Sequence, residues 1–69
     1  ASVKAADAGT VVYAGNEVRG MGNLVLVSHN GGWITAYANN ESLLVKKGDA
    51  VKKGDVLATA RIAGSMLST

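Results

Sequence analysis

Leu24-Val25-Leu26-Val27-Ser28-His29-Asn30-Gly31-Gly32-Trp33-Ile34-Thr35-Ala36-Tyr37 is the stretch that decides the fold. Four apolar residues in a row put side chains on both faces of an extended segment, the pattern of a strand covered on both sides. Asn30-Gly31-Gly32 follows, and asparagine and glycine tolerate the positive φ angles of tight hairpin connections. Trp33-Ile34-Thr35-Ala36-Tyr37 is then a second β-rich run. Two such runs around such a connection read as an antiparallel hairpin.

Working outward, Asp7-Ala8-Gly9 is a turn signal that leads into Thr10-Val11-Val12-Tyr13-Ala14, a strand closed by Gly15-Asn16. Gly20 and Gly22 bracket Met21 in a sharp loop before the hairpin. After it, Asn39-Asn40-Glu41-Ser42 reads as a polar break and Leu43-Leu44-Val45 as a short apolar segment. An internal repeat then appears, Val45-Lys46-Lys47-Gly48-Asp49-Ala50 and Val51-Lys52-Lys53-Gly54-Asp55-Val56. Two copies are far short of a solenoid, whose repeats run about 20 to 50 residues. They read as successive turns, with each Lys-Gly-Asp at a corner and Val45, Val51 and Val56 pointing inward. The last strand is expected over 56–62, and 64–69 is expected to be irregular. No linker divides the chain, so residues 1–69 form one all-β domain.

Composition supports this reading and excludes several functions. Nine glycines, no proline, no phenylalanine and many β-branched residues favour short strands and tight turns. A net charge of +2, with Lys46, Lys47, Lys52 and Lys53 interleaved with Asp49 and Asp55, gives no basic face for nucleic acid. No apolar run approaches the ~18 residues of a membrane span, and the amino terminus lacks a charged-then-apolar leader pattern. A chain of this length buries only about 60% of its unfolded surface. With no cysteine and one histidine, neither disulfides nor a multi-histidine metal site can supplement that core. Self-association is the supplement expected.

Few residues offer chemistry. A zinc hydrolase needs about three protein ligands and an open position for water, which the lone His29 cannot supply, so it reads as a hydrogen-bonded histidine beside a hairpin turn. Gly20-Met21-Gly22-Asn23 lacks the lysine and the following helix of a phosphate-binding loop. Trp33 and Tyr37 share a strand face and suit either core packing or an exposed aromatic contact with a sugar or protein. Asn39 and Asn40 are either a polar recognition edge or turn residues. Arg19 suits a carboxylate.

The run from Gly22 to Asn40 closely resembles the lysostaphin/LytM-type cell-wall metallopeptidases. So do Ala5-Ala6-Asp7-Ala8-Gly9-Thr10-Val11-Val12-Tyr13-Ala14-Gly15-Asn16 and the Val-Lys-Lys-Gly-Asp segment. The Ala-Gly-Asn ahead of Arg19-Gly20-Met21-Gly22-Asn23 is similar to the NlpD/EnvC-type murein hydrolase activator branch. The resemblance fades beyond Ala60. It implies a small antiparallel β-sandwich, or barrel-sandwich hybrid, of the duplicated hybrid motif type, of which 1–69 is a part.

Family members bind zinc through His-x-x-x-Asp and His-x-His motifs, and neither stands in this chain. Their hairpin ends in Tyr-Ala-His, where this chain has Tyr37-Ala38-Asn39, and an amide does not shuttle protons near neutral pH as imidazole does. The resemblance therefore implies a degenerate, non-enzymatic domain with no metal, cofactor or catalytic residue. The implied function is to bind and activate an N-acetylmuramyl-L-alanine amidase or other murein hydrolase in the periplasm of the bacterial cell envelope. Peptidoglycan is a second ligand, and Arg19, Tyr37, Asn39 and Asn40 are the candidate contacts. The alternatives are a fragment of a working zinc endopeptidase and a passive peptidoglycan-binding module. The family's final strand lies beyond the resemblance, so an open sheet edge paired with a second copy is also expected.

Overall fold

A computed structural model describes residues 1–60. Among these residues six strands form one antiparallel sheet: β1 (Ser2–Lys4), β2 (Gly9–Gly15), β3 (Asn23–Ser28), β4 (Ile34–Leu43), β5 (Ala50–Val51) and β6 (Val56–Ala60). Their order is β1-β6-β4-β3-β2-β5. The expected hairpin is β3–β4, with Val25 opposite Tyr37 and Val27 opposite Thr35. Gly31 and Gly32 both take positive φ in its turn, which closes through His29 N–H donating to the Trp33 carbonyl at 2.9 Å. β3 lies between β4 and β2, and Leu24, Val25 and Val27 are buried, as the doubly apolar run demands.

The sheet curls into a half-barrel because its outer strands belong to segments that also pair with each other. Each Lys-Lys-Gly-Asp turn exchanges two backbone bonds with one residue of the amino-terminal segment. Gly48 N–H donates to the Val11 carbonyl and Val11 N–H to the Asp49 carbonyl, both at 2.8 Å. Gly54 N–H donates to the Ala5 carbonyl at 2.9 Å and Ala5 N–H to the Asp55 carbonyl at 2.8 Å. Within each turn an aspartate oxygen accepts the lysine backbone N–H, Asp49 from Lys46 at 3.0 Å and Asp55 from Lys52 at 2.8 Å. The turns need a residue at φ 97° and 88°, and glycine alone adopts these without steric cost. β1 and β5, the outer strands, are only three and two residues long, so little ladder is left open.

The core is Ala5, Val11, Val25, Val27, Val51 and Leu57, with Ala14, Tyr37, Leu43 and Val45 packed against it. Close approach of β2 to β3 depends on Gly9: a Cβ there would stand 2.3 Å from the Ser28 carbonyl oxygen and 2.8 Å from Val27 Cγ1.

Two expectations are corrected. Residues 39–42 are not a break: β4 runs through them to Leu43, because a local bulge there absorbs the irregularity. Val56 does not point inward. The repeat has a period of six, so Val45 and Val51 are followed inward by Leu57, which is fully buried, while Val56 is the counterpart of Ala50 and is 38% exposed. The strand expected over 56–62 is present over Val56–Ala60, and 61–69 lie outside the described residues. Leu57→Ala is expected to lose about 2–5 kcal/mol in chemical denaturation, and Val56→Ala within about 0.5 kcal/mol. Equal losses would contradict the six-residue register.

Candidate functional site

β4 carries one constellation at its hairpin end and another midway along it. Midway, Asn39 has φ 59°, the one positive φ outside glycine among the described residues. Asparagine and histidine enter this left-handed region several-fold more readily than most side chains. The twist breaks the ladder between Asn23 and Val25 on β3 and between Asn40 and Ser42 on β4. Asn39 N–H donates instead to the Met21 carbonyl at 2.8 Å. Its side chain is left exposed.

Two amides replace the lost ladder bonds. Asn40 Nδ2 donates to the Asn23 carbonyl at 2.9 Å and the Tyr37 carbonyl at 2.7 Å. Asn23 Nδ2 donates back to the Asn40 carbonyl at 3.0 Å and the Glu41 carbonyl at 2.9 Å. Asn40 is 3% exposed, so it is a brace and offers no surface to a partner. The turn that supplies the Met21 carbonyl closes through Met21 N–H donating to the Val18 carbonyl at 3.1 Å, and Arg19 lies exposed within it. The bulge and this turn therefore bring Arg19 and Asn39 to one end of the sheet. A side chain on Gly22 would stand 3.0 Å from Asn39 Oδ1, so that loop lies against the bulge.

Tyr37, the remaining candidate, is half-buried and belongs to a hydroxyl chain. His29 is 5% exposed; its Nδ1 donates to the Ala8 carbonyl at 2.7 Å, and its Nε2 is 2.8 Å from Thr35 Oγ1. Thr35 Oγ1 is 2.8 Å from the Tyr37 hydroxyl, which accepts from Ala6 N–H at 2.9 Å. Thr35 Oγ1 donates to the Tyr37 hydroxyl, so one chain of polar contacts runs from His29 through Thr35 to Tyr37. Trp33 stacks on His29 with ring centroids 4.1 Å apart and planes 19° apart, and stays 44% exposed. The reading of His29 as a hydrogen-bonded histidine beside the turn holds, whereas Trp33 and Tyr37 divide between surface and core.

Sequence reasoning missed Asn23 and Met21 as supports of the bulge. The only available sign was an asparagine opening a strand otherwise apolar. The family's zinc is not matched by the residues present. No three His, Cys, Asp or Glu side chains are grouped for a metal among the described residues, both nitrogens of the sole histidine are engaged, and Asn39 offers an amide.

Residues 1–68 match the family described as Peptidase family M23. Over 57 residues the chain is 51% identical to the uncharacterized lipoprotein YgeR of Escherichia coli (strain K12), covering 83% of this chain and 23% of that protein. It is 48% identical over 64 residues to outer membrane antigenic lipoprotein B of Histophilus somni, covering 93% and 19%. It is 46% identical over 57 residues to murein hydrolase activator NlpD of Escherichia coli (strain K12), covering 83% and 15%. The chain thus spans less than a quarter of the length of these curated relatives.

The two adjacent asparagines separate by their roles. Asn40→Ala leaves the part-buried Asn23 and Tyr37 carbonyls without this donor and is expected to cost about 1–3 kcal/mol. Asn39→Gly, which suits the positive φ, is expected to stay within about 0.5 kcal/mol of the parent in urea denaturation. Similar losses from both would refute the assignment of Asn40 as brace and Asn39 as presented side chain.

Proposed function

The chain belongs to peptidase family M23, and from that membership we propose that it is a non-catalytic member that regulates peptidoglycan hydrolysis in the bacterial cell envelope. The finer reading is that it binds and activates an N-acetylmuramyl-L-alanine amidase on the periplasmic side. The observation that carries this is Asn39, an exposed amide on a positive-φ bulge where the family's hairpin ends in histidine. Backbone strain of this kind costs of order 1–3 kcal/mol and persists where surrounding structure enforces it, often at functional positions. Here the bulge presents an amide in place of an imidazole. Recognition is the chemistry that survives.

An exposed amide offers donors and an acceptor to a partner's backbone, and the neighbouring Arg19 offers a planar fork to a carboxylate. Tyr37 and Asn40 act beneath this surface, one holding the hydroxyl chain and the other the bulge. Activation follows if the amidase presents the matching groups only in its active conformation, since a ligand shifts an equilibrium by its difference in affinity for the two states. The relatives named murein hydrolase activator and outer membrane lipoprotein support both the function and the compartment.

Purified chain is expected to bind such an amidase in a pull-down and to raise dye release from labelled sacculi. Asn39→Arg and Arg19→Glu are expected to weaken stimulation about tenfold, as loss of interface anchors does. Absence of both binding and stimulation would overturn the proposal, as would chelator-sensitive cleavage of sacculi by the chain alone.

A further inference from the structure

The hairpin tip holds a second surface, separated from Asn39 by the five residues 34–38 of β4, or roughly 20 Å of strand. Trp33 has one ring face committed to His29 at 4.1 Å, and His29 is itself pinned through both nitrogens. The indole is therefore held in place before any ligand arrives, which removes an ordering cost from binding. It is nonetheless 44% exposed, with Ile34 beside it 59% exposed and Asn30 exposed in the turn. From Gly20 to Asn40 there is no Asp, Glu, Lys or Arg. The carboxylate of Asp7, the residue before the Ala8 that anchors His29, accepts from the Ala8 backbone N–H at 2.8 Å.

We propose that Trp33 is a stacking platform for the uncharged glycan backbone of peptidoglycan, with Asn30 as its polar neighbour. A flat, immobilised aromatic surface in neutral surroundings suits the C–H face of a sugar ring, and the Asn30 amide suits its hydroxyl and acetamido groups. The peptide stems of peptidoglycan carry carboxylates, for which this hairpin offers no cation. The platform is separate from the Arg19–Asn39 surface, so the domain would hold the cell wall at the hairpin tip and the amidase at the bulge.

Trp33 is the sole tryptophan, so its emission reports on this surface directly. The chain is titrated with peptide-free glycan strands, with the tetramer of N-acetylglucosamine and with free stem peptide. Trp33→Ala and Trp33→Phe are compared with the parent in sacculus pelleting and amidase stimulation, after circular dichroism has confirmed their folding. The glycans are expected to change the emission saturably and the peptide to leave it unchanged. Trp33→Ala is expected to weaken pelleting about tenfold, Trp33→Phe to fall between, and amidase stimulation to persist in both. Unchanged emission with glycan strands, or pelleting of Trp33→Ala equal to the parent, would overturn the proposal. Loss of amidase binding in Trp33→Ala with no response to glycan would also overturn it and assign the indole to a protein contact. Failure of amidase activation in the parent bears on the Asn39 bulge alone.

Discussion

Two turns of one spelling hold this small sheet curled. Each Lys-Lys-Gly-Asp takes a donor and an acceptor from a single residue of the amino-terminal segment, Val11 for the first and Ala5 for the second. Four such bonds contribute about 0.5–1.5 kcal/mol net apiece, whereas burying an aliphatic side chain contributes about 1.5–3 kcal/mol. Burial supplies more of the stability, and the backbone bonds decide which side chains are buried. They fix the six-residue step that sends Val45, Val51 and Leu57 into the core and leaves the lysines in water.

That closure gives β4 a rigid bed on which its start and its bulge are specialised. At Asn39 the strand accepts an unfavourable backbone angle, offset by four hydrogen bonds from the Asn23 and Asn40 amides. At Trp33 the strand begins against an imidazole whose every polar atom is satisfied. Both arrangements set one exposed side chain on locked neighbours, the condition under which a recognition surface loses least to ordering.

The hairpin was legible because its turn glycines and its doubly apolar strand are local signals. The lysine turns were legible for the same reason, but their inward residues required choosing a phase, and Val56 is as apolar as Leu57. Only counting six from Val51 distinguishes them. Asn39-Asn40-Glu41-Ser42 spells a turn and a bulged strand equally well, since both recruit asparagine for positive φ. Burial of Asn40 was hidden because its partners, the Asn23 and Tyr37 carbonyls, are backbone atoms with no residue signature. The His29 bond to Ala8 spans 21 positions and was hidden likewise. The family resemblance located Asn39, while its exposure and strained angle came only from the fold.

Gly9 ties these parts together. Its missing side chain lets β2 lie so close to β3 that a Cβ would also come 3.1 Å from His29 Nδ1. The carbonyl that anchors that nitrogen belongs to Ala8, on the same peptide plane as the Gly9 nitrogen. Adding even a methyl group there would lever this plane away from the imidazole and loosen the indole stacked on it. The packing tolerance of one α-carbon inside the sheet thus governs how firmly an aromatic ring is held at its rim, a mechanical link that no contact between the two residues would reveal.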